Sequence, residues 1–76
     1  MIAKITKAYT RHYRDNGQTT AYVEWIDSLG RAGRTEAPVR MPRETKRPLA
    51  EVYGPHMGAL IARAICTGVT VTHEVW

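Results

Sequence analysis

The sequence predicts an α+β fold in the order βββαβ: a three-stranded antiparallel meander, one helix packed on the sheet, and a fourth, C-terminal strand, all as one domain over residues 1–76. Three observations predict it. Two turn signals, Asn16-Gly17 and Ser28-Leu29-Gly30, separate runs that read as strands. An apolar stripe at helical spacing follows over residues 49–65. The segment VTVTHEVW, residues 69–76, then alternates apolar and polar positions.

Asn-Gly is a strong signal for a two-residue hairpin loop, because a type I′ turn needs positive φ at both positions. That loop sets Arg14 opposite Thr19, His12 opposite Ala21, Thr10 opposite Val23 and Ala8 opposite Trp25. On the other face Tyr13 meets Thr20, Arg11 meets Tyr22, Tyr9 meets Glu24 and Lys7 meets Ile26. The second turn reads as a three-residue loop with Gly30 left-handed beside a bulge. Gly33 then faces Trp25, Thr35 faces Val23, Ala37 faces Ala21, and Arg34 pairs across the strands with Glu24. A two-residue loop would place Arg34 and Glu36 on the Trp25 and Val23 face, so the bulged register is preferred.

Two sheet faces result. Ala8, Thr10, Ala21, Val23, Trp25, Thr35, Ala37 and Val39 form the small, mostly apolar one, assigned to the core, with Trp25 largely buried beneath the helix near Leu60 or Ile61. Lys7, Tyr9, Arg11, Tyr13, Tyr22, Glu24, Ile26, Arg34 and Glu36 form the other, expected to face solvent or a partner. Pro38 ends the third strand, and RMPRETKRP, residues 40–48, reads as an exposed loop with four bases, one acid and two prolines.

Leu49, Val52, Tyr53, Met57, Leu60, Ile61, Ala64 and Ile65 recur at helical spacing. Gly54 suits an N-cap and Pro55 the first turn, so the main helix is placed over 55–67 with Gly68 at C′. Residues 48–53 form a short preceding turn; a single kinked helix is the alternative. In the last strand Val69, Val71, His73 and Val75 point one way, and Thr70, Thr72, Glu74 and Trp76 the other. A right-handed crossover lays this strand parallel to the first.

A chain this short buries only ~60% of its unfolded surface, so its core is small. A hydrophobic content of 43% still separates it from disordered compositions. A lone cysteine fits a reducing, cytoplasmic setting, that of a host cell if the chain is phage-encoded. The opening MIAKITKAYT lacks the apolar region of a secretory signal, and no apolar run approaches a membrane span. The net charge of +4 and pI near 9.6 favour anionic partners, and they also fit plain solubility.

No constellation points to chemistry. His12, His56, His73 and Cys66 are scattered, whereas structural zinc sites use paired, short spacings. Cys66 lies at a helix C-terminus, which raises a thiol pKa, and is expected to be a small buried filler. No glycine-rich phosphate loop occurs. No catalytic residue, metal or cofactor is expected. What stands out is KAYTRHYR, residues 7–14, where Lys7, Tyr9, Arg11 and Tyr13 share one strand face. Aromatics with bases between them stack nucleobases and track phosphates; the same residues serve as protein-interface hot spots, and ordinary wet strands carry them too. Arg11, opposite Tyr22 with no acid directly across, is expected to tolerate Arg11→Glu with stability nearly intact while partner binding weakens.

The two compact hairpins around Asn16-Gly17 and Leu29-Gly30, together with GPHMGALIARAICTGVTV, resemble in kind the type I anti-CRISPR proteins of phages and mobile elements. The resemblance is one of architecture over the whole chain. It implies a non-enzymatic inhibitor that docks on a CRISPR surveillance complex, contacts its effector subunits and blocks target DNA binding. The basic charge departs from the acidic DNA mimics among such proteins. The expected partner-binding residues are Lys7, Tyr9, Arg11, Tyr13, Tyr22, Arg34, Arg40, Arg43, Lys46 and Arg47. The alternative is a small basic nucleic-acid-binding protein in which the bases meet phosphate and the tyrosines stack; a structural subunit of a larger assembly, or a homodimer, is a third reading. No membrane partner is expected.

Overall fold

The computed structural model describes residues 1–43 and 46–76; Glu44 and Thr45 of the expected loop lie outside the described residues. The elements are β1 (Ile2–Tyr13), β2 (Gln18–Asp27), β3 (Ala32–Pro38), α1 (Leu49–Tyr53), α2 (Pro55–Cys66) and β4 (Val71–Val75). They build one four-stranded sheet in the order β3-β2-β1-β4. Strand β1 pairs antiparallel with β2 and parallel with β4, which is the expected α+β arrangement. β1 is therefore central, with a neighbour on each side.

The second hairpin has the expected register: Trp25 opposite Gly33, Glu24 opposite Arg34, Val23 opposite Thr35 and Ala21 opposite Ala37. Gly30 has φ 80°, and the Asp27 carboxylate Oδ1 accepts from the backbone N–H groups of Leu29 and Arg31, both at 2.9 Å. The first hairpin differs. No described non-glycine residue has positive φ, so Asn16 does not enter a type I′ turn. Residues 14–17 form a four-residue loop closed by the Gly17 N–H on the Tyr13 carbonyl at 2.8 Å, while Asn16 Oδ1 accepts from the Gln18 N–H at 2.9 Å. The register moves by two residues: Tyr9 faces Tyr22, Arg11 faces Thr20, Thr10 faces Ala21 and Lys7 faces Glu24. Because the side-chain period of a strand is two, each residue keeps its expected face and only its partner changes.

The helices lie on the Ala8/Ala21/Val23 face. Ile5, Ala8, Ala21 and Val23 meet Met57, Leu60, Ile61 and Ala64 in one buried cluster. A register shift between Ile5 and Lys7 lets Ile5 join Ala8 on this side. Trp25 packs against this cluster but is half-buried and not largely buried as expected: its six-membered ring lies against Gly33, and its Nε1–H donates to Thr35 Oγ1 at 3.0 Å. Ile65 and Cys66, expected in the core, are exposed because the last turn of α2 turns them away from the sheet.

Gly54 joins α1 to α2 with φ 86° and ψ 160°, a conformation essentially restricted to glycine. After α2 the Gly68 N–H bonds the Ile65 carbonyl at 3.1 Å and the Val69 N–H bonds the Ala64 carbonyl at 2.9 Å. This is a Schellman cap, and Val69 packs against the core beyond it. Arg63 Nη2 donates to the carbonyls of Ile2 and Ala3 at 3.0 and 3.2 Å, pinning the start of β1 to the end of α2.

Candidate functional site: the helix-free face of the sheet

The face opposite the helices carries Tyr9 at its centre. Tyr9 and Tyr22, expected to be wet, are only 1% and 5% exposed. Their rings stack with centroids 5.1 Å apart and planes 18° from parallel. The cause is the strand order. β1 is flanked on both sides, and the long side chains around Tyr9 fold over it. Lys7 Nζ lies 4.7 Å from the Tyr9 centroid, Arg11 lies 5.0 Å from Tyr9 and 5.3 Å from Tyr22, and Arg34 lies 5.0 Å from Tyr22. Each cation sits on a ring's negative face while its stem excludes water.

Hydrogen bonds complete the layer. The Tyr9 hydroxyl donates to Glu24 Oε2 at 2.8 Å, and the Tyr13 and Tyr22 hydroxyls share a bond of 2.6 Å. Burial, then donation to the Glu24 carboxylate, pushes the Tyr9 phenol above its ordinary pKa. Tyr22 is raised first by its bond to Tyr13 and then by burial. Arg11 does have an acidic neighbour, from β4: its Nε lies 3.4 Å from Glu74 Oε1, which also accepts from Trp76 Nε1–H at 3.1 Å. The Trp76 donor first, and Arg11 with it, holds the Glu74 carboxyl below the usual range. The Arg11 guanidinium also lies 4.3 Å from the Trp76 ring. Its side chain is 22% exposed, so it is a partly enclosed residue and not a free surface cation.

The sequence-predicted site residues divide into two groups. Lys7, Tyr9, Arg11, Tyr13, Tyr22 and Arg34 come together on this face. Arg40, Arg43, Lys46 and Arg47 do not join them. Arg40 and Arg47 lie on the helix side, where the Arg40 N–H bonds the Val52 carbonyl at 2.8 Å and Arg47 Nη1 lies 3.5 Å from Glu51 Oε2. Glu74 and Trp76 belong to the first group although neither was proposed for it. The alternation of VTVTHEVW had placed both on one side, and parallel pairing with β1 brings that side beside Arg11.

Charge divides the same way. The face balances Lys7, Arg11 and Arg34 against Glu24, Glu36 and Glu74. Segment 40–47 sets Arg40, Arg43, Lys46 and Arg47 against Glu44, a net three of the chain's four excess positive charges. Among the described residues no group of three or more His, Cys, Asp or Glu side chains is placed to hold a metal ion, and no helix is long and apolar enough to cross a membrane. Comparison with known proteins finds no matching family, no matching curated protein and no matching solved structure.

Proposed function

We propose that the chain is a non-enzymatic binding protein that docks on a protein partner through the helix-free face and inhibits by occupying the partner's surface. One observation carries this reading: the face is a charge-balanced, pre-ordered layer of cations over buried rings. Base stacking needs an open ring face, and those of Tyr9 and Tyr22 are already stacked on each other and capped. A phosphate backbone laid here would also meet Glu24, Glu36 and Glu74. A protein surface of mixed charge suits the arrangement better. Arg, Tyr and Trp are the residues that anchor such interfaces, and side chains ordered in advance reduce the entropy lost on docking. In line with the resemblance to type I anti-CRISPR proteins, the partner would be a subunit of a CRISPR surveillance complex, the consequence would be blocked target DNA binding, and the setting would be the host cytoplasm.

The test is capture from a host lysate at physiological salt, with the double variant Lys7→Glu/Arg34→Glu beside the parent. Both positions are exposed, and circular dichroism establishes that the variant is folded before capture. A protein retained by the parent and lost by the folded variant supports the reading. Capture of no protein, or equal capture by both, overturns it.

A specific observation favours a second reading, nucleic-acid binding, since the charge excess lies in segment 40–47. Such binding would weaken steeply with salt as counterions are released. It would also respond to Arg43→Glu and not to Arg34→Glu in a gel-shift series.

A further inference from the structure

On the helix side of the sheet, two hydroxyl–imidazole pairs line two adjoining hollows. Thr10 of β1, 5% exposed, places Oγ1 at 2.7 Å from His73 Nδ1 of β4. Thr19 of β2, 9% exposed, places Oγ1 at 2.9 Å from His12 Nδ1 of β1. These bonds fix both ring orientations and leave the Nε2 atom of each ring for another partner. The first, lined by Thr10, Thr19 and His73, has about 390 Å³ and continues into a second of about 280 Å³ that shares Thr10, Thr19, Pro42 and His73 and adds His12. Leu49, Val52 and Tyr53 line the first. His12 and Arg43 border the second, as does Glu74, whose Oε1 is taken up by Arg11 and Trp76.

The size falls within the range of small-molecule sites, and so does the composition: apolar walls with a few convergent polar groups. The electrostatics select the sign of the ligand. Arg43 stands at the rim, in the segment that carries most of the excess positive charge, and imidazole Nε2 can donate to an oxyanion. We propose that the joined hollows bind a small organic anion, with a ring or short apolar body against Leu49, Val52 and Tyr53 and a phosphate or carboxylate group held by His12, His73 and Arg43. The site shares only Glu74 with the Tyr9 layer and is otherwise built on the helix side of the sheet, so it does not depend on the docking reading above.

The experiment is a titration followed by backbone amide NMR, using phenyl phosphate, benzoate, inorganic phosphate and benzyl alcohol as probes. Saturable shifts at Thr10, Thr19 and His73 are expected with phenyl phosphate or benzoate, and the tighter of the two identifies the acid group. Inorganic phosphate, without the apolar body, should bind more weakly, and benzyl alcohol, without the charge, should not saturate. His73→Ala should weaken binding about tenfold or more, the scale of one lost charge-assisted hydrogen bond. Arg43→Gln, at an exposed position, gives a second reading should His73→Ala fail to fold. Three outcomes overturn the proposal. They are the absence of saturable shifts, shifts confined to residues 40–47 that vanish as salt is raised, and unchanged affinity in a folded variant.

Discussion

The guanidinium of Arg11 and the indole of Trp76 lie 4.3 Å apart, joined through a shared carboxylate, Glu74. Residue 11 is thereby tied to the last strand as well as to the Tyr9 and Tyr22 rings beneath it. The sequence expectation that Arg11→Glu would leave stability nearly intact does not survive this geometry. The variant would set one carboxylate against another and uncover two rings.

Arg11→Glu should lower the melting temperature clearly, and Arg11→Lys should fall between it and the parent. Lysine keeps the charge but loses the plane that stacks on the indole and the Nε–H that meets Glu74. Arg43→Glu, the same charge change at an exposed site, should stay within ~0.5 kcal/mol of the parent. Thermal denaturation by circular dichroism distinguishes these. Equal melting temperatures for Arg11→Glu and Arg43→Glu would show that the ring cage contributes nothing to stability.

Gly33 is required by its cross-strand neighbour and not by its own backbone. A Cβ at position 33 would fall inside the van der Waals envelope of the Trp25 ring. Gly33→Ala should therefore displace the indole, break its bond to Thr35, and cost about 1–3 kcal/mol, as overpacking does. A red shift in tryptophan emission should accompany the loss. Trp25→Ala should cost less than the ~3–5 kcal/mol of a fully buried aromatic, because the ring is only half-buried. A Gly33→Ala variant with parental emission and stability would contradict the packing described.

The acid limb of stability should depend on Asp27. The Arg31 backbone N–H first, and then that of Leu29, holds its carboxyl below the usual range. A carboxylate with a lowered folded pKa contributes its stability in full above its unfolded pKa, and the contribution disappears as pH falls through the folded value. Glu74 behaves alike through Trp76 and Arg11. The melting temperature should hold steady above pH ~5 and fall below pH ~4, since unperturbed carboxyls titrate near ~4. Asp27→Asn should lower the neutral-pH value and shrink the acid fall. An acid limb unchanged in that variant would show that the turn carboxylate is not its source.

The second hairpin, the Gly54 break and the Gly68 cap were legible because each rests on local chemistry: a glycine at positive φ and alternation that admits one register. The first hairpin was legible in its faces but not in its partners. Asn16-Gly17 signals a turn, and whether Asn16 enters positive φ is decided by the paired strands on either side. The burial of Tyr9 was hidden for a different reason. Alternation assigns a residue to a face; how wet that face is depends on what lies beside the strand. Only the position of β1 between β2 and β4, with Arg11, Lys7 and Arg34 folded over the rings, makes Tyr9 the most enclosed large side chain of the helix-free face. The Thr19–His12 pair was missed with the first hairpin's register, since the two residues face each other across it, and the Thr10–His73 pair joins strands far apart in the chain and follows no local spacing rule.

The same burial sets the alkaline limit of the fold. Tyr9 is raised by burial and by its bond to Glu24, Tyr22 by its bond to Tyr13 and by burial, and Tyr53 by burial alone. In each the neutral phenol is the favoured form in the folded state. A phenol whose folded pKa exceeds its unfolded value contributes stability that is complete below the unfolded pKa, near ~10, and is lost as pH rises through the folded value. The melting temperature should therefore stay level to about pH 10 and drop beyond it. Phenolate absorbance of the folded protein should lag that of the urea-denatured chain over the same range. Tyr22→Phe should remove one delayed titration, and it leaves Tyr13 without its hydroxyl partner. Tyr9→Phe should remove another and lower the neutral-pH melting temperature as well, because Glu24 loses its donor in a partly enclosed site. Coincident titration of folded and denatured chains would mean that water reaches both rings, and the closed cation layer over Tyr9 and Tyr22 would have to be given up.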